Sequence, residues 1–178
     1  MKKIFLTVFA ATSLFLYSTS SFAFSLSVGM PLGHTITDDT IHTPGYDTPS
    51  GYFLGVQLPF AVGLGMDSYK TKLKETDPEI KLGTDIYNIF YQLPIPVINL
   101  VIGLGAGNQA LECTYCENTY DKGSVTQWYT SIGFPILPLF DIHLSYRSIT
   151  SKNVKEKSSG TKYDFSGNVT GIGIAFNF

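Results

Sequence analysis

From residue 24 onward the chain alternates with period two. Phe24, Leu26, Val28, Met30 and Leu32 are interleaved with Ser25, Ser27, Gly29 and Pro31. The same rhythm recurs over 52–58, 62–67, 87–93, 98–105, 127–134, 141–147 and 171–178. Strict alternation predicts half-buried strands, and these segments predict eight of them. The last strand shows a phase slip near Asn168–Gly171, read as a bulge.

The connections alternate in length. Short ones carry proline, around Pro59-Phe60, Pro94–Val97 and Pro135–Leu139. Longer polar ones cover 33–50, 71–84, 108–124 and 151–161. GVQLPFAVGLGMDSY, YQLPIPVINLVIGLGAG and IGFPILPLFDIHLSYRS each read strand, proline turn, strand, so they predict three similar up-and-down hairpins.

The two faces then decide the solvent. The non-apolar face is mostly Gly, Ser, Asn and Gln, which suits a crowded narrow lumen better than a water-facing surface. Apolar residues outward, small or polar residues inward, and alternating short and long connections are the pattern of transmembrane β-barrels. Closure also leaves no unpaired edge in lipid. Aromatic residues fall near strand ends in two groups. Tyr52, Tyr69, Trp128 and Tyr146 lie toward the long loops; Phe60, Tyr91, Phe134, Phe140, Phe176 and Phe178 lie toward the short turns. Two interfacial girdles are expected.

The segment before the first strand fits this setting. Lys2 and Lys3 precede an apolar run of 14 residues, Ile4–Tyr17, and Ser21-Phe22-Ala23 supplies small residues for a signal peptidase. Residues 1–23 read as a secretory signal peptide of the Sec route, and residues 24–178 as one barrel domain. The run is shorter than the ~20 apolar residues a helical anchor requires.

Composition narrows the function. Charged residues make up 15% of the 178-residue chain, against about 25% in typical globular domains. Hydrophobic residues make up 44%, which argues against intrinsic disorder. Only two of the 12 basic residues, and none of the 14 acids, lie in the signal segment, so the remainder carries a net charge of −4. That excludes a basic nucleic-acid-binding surface. All nine lysines beyond the signal lie on the long-loop side: Lys70, Lys72, Lys74, Lys81, Lys122, Lys152, Lys155, Lys157 and Lys162. Anionic head groups of lipopolysaccharide would attract them, although Glu75, Asp77, Glu79 and Glu156 are interspersed.

The C-terminus, Gly171-Ile172-Gly173-Ile174-Ala175-Phe176-Asn177-Phe178, resembles the terminal signal of bacterial outer-membrane proteins. The chain resembles OmpA-, OmpX- and OmpW-type eight-stranded proteins in its whole architecture. The resemblance implies an eight-stranded antiparallel up-and-down transmembrane β-barrel in the bacterial outer membrane. It also implies recognition of Gly171, Gly173, Phe176 and Phe178 by the barrel-assembly machinery, and contact with outer-membrane lipid and lipopolysaccharide.

Candidate chemistry is sparse. Asp141, His143, Ser145 and Arg147 share one face of the seventh strand, an acid, a base and a nucleophile. Alternate residues lie roughly 6.6–7 Å apart along a strand, too far for a triad. The preferred reading is a lumen network with Asn99, Gln57 and Gln127, because buried charge needs partners. His143-Leu144-Ser145 resembles the His-x-Ser of outer-membrane lipid A deacylases. That pattern usually continues with Asn, where this chain has Tyr146, and needs a later Glu, for which Glu156 is the candidate.

Cys113 and Cys116 form a C-x-x-C, for which export favours a disulfide. Zinc held by this pair with His34 and His42 is the sharper alternative. No motif calls for a cofactor or specifies an external ligand. Eight strands leave an interior just wide enough for side chains. A non-enzymatic structural or surface-interaction role is therefore expected, with a narrow conduit for small or hydrophobic solutes and a lipid A deacylase-like hydrolase as alternatives.

Overall fold

The computed structural model describes residues 24–37, 46–74, 79–93, 95, 98–137, 139–151 and 154–178. Residues 1–23, where a signal peptide is expected, and His42 and Lys152 lie outside them.

Eight long strands close into one antiparallel barrel: β1 (Ser25–Ile36), β2 (Ser50–Gln57), β3 (Val62–Lys72), β4 (Lys81–Leu93), β5 (Asn99–Glu112), β7 (Gly123–Leu137), β8 (Phe140–Thr150) and β11 (Gly167–Asn177). The order around the wall is β1-β11-β8-β7-β5-β4-β3-β2. β6 (Tyr120–Asp121), β9 (Val154–Glu156) and β10 (Lys162–Tyr163) form a separate small sheet at the long-loop end, in the order β10-β9-β6. A single helical turn, Cys116–Thr119, precedes β6.

The strands run several residues further than the alternation predicted, into the segments read as long loops. β4 shows why. In its lower half, toward the short turns, Tyr87, Ile89 and Tyr91 point out and Asn88 and Gln92 point in. In its upper half Lys81 and Asp85 point out, while Leu82 and Ile86 are fully buried. The polarity of the two faces inverts halfway along the strand. Below, the exterior carries Leu26, Val28, Met30, Leu64, Ile102, Leu104 and Leu144, large apolar side chains 48–62% exposed. So continuous an apolar exterior is a surface for lipid. Above it the exterior is polar and the lumen mainly apolar, as for a barrel in water.

The same inversion produced the apparent slip in the last strand. Val169 is buried inside and Ile174 is exposed outside, yet β11 pairs with β8 without interruption from Gly167 to Phe176. The irregularity sits on the neighbouring strand. Leu32 is extra between Pro31, opposite Gly171, and Gly33, opposite Thr170. One added residue exchanges the faces of a strand, so His34 points into the barrel rather than out of it.

The girdle expectation needs one correction. Trp128 and Tyr146 lie outside with ring centroids 6.0 Å apart. Tyr69 is 2% exposed and packs inside against Phe53 and His34, because its position in β3 has the inward parity of Asp67 and Thr71.

Small residues on the inner face accommodate rings. A Cβ at Gly63 would strike the Phe90 ring, and one at Gly103 would strike Tyr129. Gly103→Val overpacks this layer and is expected to cost about 1–3 kcal/mol. The measurement is the urea midpoint of the refolded protein in micelles, with Ala106→Val on the outer face as the neutral control. Equal midpoints for the two variants would refute the packing role.

Candidate functional site

The lower lumen holds a hydrogen-bonded polar cluster. Arg147 of β8 and Asp67 of β3 face each other across the barrel. Arg147 Nε donates to Asp67 Oδ2 at 2.9 Å and Nη2 donates to Oδ1 at 3.4 Å. Gln127 Nε2 donates to the same carboxylate at 2.5 Å and to Asn88 Oδ1 at 2.6 Å. Arg147 Nη1 donates to Ser145 Oγ. The guanidinium carbon lies 3.5 Å from the Phe53 ring centroid and 4.9 Å from that of Tyr129. Both members of the pair are buried. Such a pair needs geometry this complete, because the desolvation of two charges otherwise exceeds their attraction.

A second group lies nearer the short turns. Asp141 Oδ2 accepts from Asn99 Nδ2 and, at 2.9 Å, from Asn177 Nδ2. Gln92 Nε2 donates to Asn99 Oδ1 at 2.7 Å. His143 Nε2 lies 3.9 Å from Asp141 Oδ2, and its Nδ1 lies 3.3 Å from Ser131 Oγ. Gln57 is buried in the wall of a lumen cavity of about 80 Å³ that Gln92, Ser131, Asp141, His143 and Asn177 also line. That volume is large enough for several waters.

Above the ion pair the lumen is filled, mainly by apolar side chains, with the buried polar pairs His34–Thr71 and Gln109–Thr84 among them. Phe53, Tyr69, Ile86, Val125, Ile149 and Val169 form one buried layer. Leu73, Leu82, Val154 and Phe165 form another at the long-loop mouth, with Ile36, Tyr46, Ile80 and Tyr163 against it. The inward set of Gly, Asn, Gln, Asp and Arg expected from the sequence therefore describes chiefly the lower lumen.

Several candidate residues are not brought together. Ser145 accepts from Arg147, and the serine beside His143 is Ser131 on the neighbouring strand. Glu156 lies in β9, in the small sheet beyond Thr150. His143 and Thr150 are seven residues apart in β8, about 23 Å along the strand. Hydrogen bonds from Ser159 and Ser158 hold the Glu156 carboxyl below its ordinary pKa. The expected partners of Arg147 also change, since Asp67 takes that place and Gln127 serves Asp67. An acid of inward parity with Gly63 and Gly65 was the signal that could have identified it.

Cys113 and Cys116 are joined to each other, which removes both thiolates as zinc ligands. His34 is not in a loop: it is buried in β1, with Nδ1 2.8 Å from Thr71 Oγ1. At the C-terminus, Phe176 and Phe178 stack 4.3 Å apart, and Phe140 packs 4.8 Å from Phe176. The Phe178 N–H donates to the Phe24 carbonyl at 2.9 Å.

The architecture matches solved barrels of one kind. Neisserial surface protein A superposes with a TM-score of 0.62 at 10% identity, covering 87% of this chain and 96% of that one. This chain has the fold of the small eight-stranded outer-membrane β-barrels. The N-terminal barrel domain of Pseudomonas aeruginosa OprF gives 0.51 at 12% identity over 86% and 97% of the two chains. Escherichia coli outer membrane protein W gives 0.51 at 8% identity over 89% and 99%. No family model matches the sequence, and no curated protein matches it.

Within this outer-membrane barrel fold, the Asp67–Arg147 pair makes a sharp energetic test. Asp67→Leu leaves a guanidinium buried without its counter-charge and is expected to cost about 3–5 kcal/mol. Asp67→Leu combined with Arg147→Leu should recover most of that loss in urea unfolding. A double variant as unstable as the sum of the two single ones would show that the charges are not coupled.

Proposed function

We propose that this protein is a non-enzymatic integral protein of the bacterial outer membrane that acts through its external surface rather than through its lumen. The observation that carries this reading is the filled upper lumen. Two apolar layers lie between the polar cavity and the long-loop mouth. A path for solutes would have to displace packed Phe53, Tyr69 and Ile149, side chains 2–5% exposed. Each such burial stabilises the fold by about 1.5–3 kcal/mol, so the closed lumen is part of the fold's stability.

In this reading residues 1–23 direct export and are removed, the short turns face the periplasm and the long loops face outward. Gly171, Gly173, Phe176 and Phe178 present the terminal strand to the assembly machinery. The Cys113–Cys116 disulfide pins the loop next to β6 in an oxidising compartment. The acid, base and serine of β8 serve as a structural network. This follows from their distribution: Ser145 is engaged by Arg147, and Glu156 lies in the external sheet.

Expression in a Gram-negative host should place a heat-modifiable band in the outer-membrane fraction. The purified protein should produce no conductance steps in planar bilayers, whereas Phe53→Ala, Tyr69→Ala and Ile149→Ala together should. Stepwise current through the unaltered protein would overturn the closed-lumen reading. Lipid A mass spectra should be the same with the protein, without it, and with His143→Ala or Ser145→Ala. Loss of an acyl chain that depends on either residue would establish an enzyme instead.

A further inference from the structure

The external wall above the lipid-facing band is not uniform around the barrel. On β3, β4 and β5 its outward positions include the charged Lys70, Lys72, Lys81, Asp85 and Glu112. Lys70 pairs with Glu112 at 2.6 Å, and Glu79 bridges Lys72 and Lys81 at 2.9 and 3.0 Å. On the opposite side, across β7, β8, β11 and β1, the outward positions are uncharged hydrogen-bonding groups.

The register aligns them in rows. Trp128 stands opposite Ser148, Ser148 opposite Asn168, and Asn168 opposite Thr35. One step toward the membrane, Thr130 stands opposite Tyr146 and Tyr146 opposite Thr170. The Leu32 bulge makes this possible on β1, because it turns Thr35 outward while it turns His34 inward. Shallow hollows of about 340 and 560 Å³ flank the ridge that Ser148 and Thr150 share. The Trp128 ring, 49% exposed, lines the first, and the Tyr146 ring, 40% exposed, lies 6.0 Å from that ring at the edge of the apolar band.

We propose that this four-strand sector docks the neutral saccharide headgroup of a glycolipid in the outer leaflet. Three features select that occupant. The rows on the strands offer donors and acceptors without charge, and among the described residues the one charged side chain lining the hollows is the Asp164 carboxylate, so the surface matches sugar hydroxyls and gives no preference for phosphate. The exposed aromatic pair supplies apolar ring surface for the C–H face of a pyranose, with polar tips at the wet end. The sector is continuous with the lipid-facing band of Ile132, Leu144 and Ile174, so a lipid whose chains lie on that band brings its headgroup to these rows. The reading rests on the barrel's residence in the outer membrane and adds a ligand class to its external surface.

Trp128 is the only tryptophan in the chain, so its fluorescence reports this sector alone. The full-length barrel, one copy per nanodisc, is titrated in phosphatidylcholine with digalactosyl diacylglycerol as the neutral probe. Phosphatidylglycerol serves as the anionic comparison. The expected result is a saturable emission change with the galactolipid and none with phosphatidylglycerol. Ser148→Ala combined with Asn168→Ala should weaken it about tenfold, the loss of two ordinary hydrogen bonds. Thr150→Val is the second variant, and a retained heat-modifiable gel shift confirms folding in each. The proposal is overturned by absence of a saturable change in the unaltered protein or by an equal response to phosphatidylglycerol. Undiminished binding in the variants also overturns it. A change that follows the number of protein copies per disc would likewise overturn it and indicate self-association. Failure to fractionate with outer membranes in cells would remove the proposed location without altering this binding result.

Discussion

One strand of this barrel has to satisfy four environments. Its wall is a single layer, its outer face meets lipid below and water above, and its inner face meets a polar lumen below and a mainly apolar one above. The inversion along β4, from Tyr87 and Ile89 outside to Leu82 and Ile86 inside, is the constraint on which the remaining structure depends. Where lipid covers the outside, apolar burial is supplied by the bilayer, and the narrow interior is free to hold hydrogen-bonded polar groups. Where water covers the outside, the barrel has to bury its own apolar core, and the lumen is the only place for one.

The Asp67–Arg147 pair lies where these regimes meet. Below it, Asn99, Asp141, Gln92 and Asn177 satisfy one another around a small cavity. Above it, Phe53 covers the guanidinium and begins the apolar filling. A buried polar network is stable only when its members are satisfied together. The pair therefore closes the polar half of the lumen as the aromatic layer closes the other. With the lumen closed, the external wall is where the molecule differs around its circumference, a charged sector and an uncharged one lying on opposite sides of the same ring.

Much of the fold was legible because lipid imposes a strong pattern. Leu26, Val28 and Met30 on β1, or Ile132 and Phe134 on β7, alternate with small residues so regularly that strand and solvent could both be read. The upper strand halves were less legible. Lys81 and Gly83 read as loop, although with Asp85 they are the outer face of a strand whose inner face is Leu82, Thr84 and Ile86. The same inversion made β11 look bulged near Val169 and concealed the real bulge at Leu32. Tyr69 and His34 were assigned to a girdle and a loop for that reason. Among the polar candidates, the shared inward parity of Asp141, His143, Ser145 and Arg147 was plain. Their partners were not, since Asp67 is 80 positions from Arg147 and only closure of the barrel brings β3 to face β8.

The sequence by itself determined the strand number, the direction of the apolar face in the lipid-facing half and the inward polar set, because period two and the choice of solvent are local properties of a strand. Tertiary structure alone decided the pairs across the lumen, the filling of its upper half and the rows of Trp128, Ser148, Asn168 and Thr35 outside. Those depend on register and closure, which fix which distant residues share a level of the barrel, and no local pattern encodes that distance.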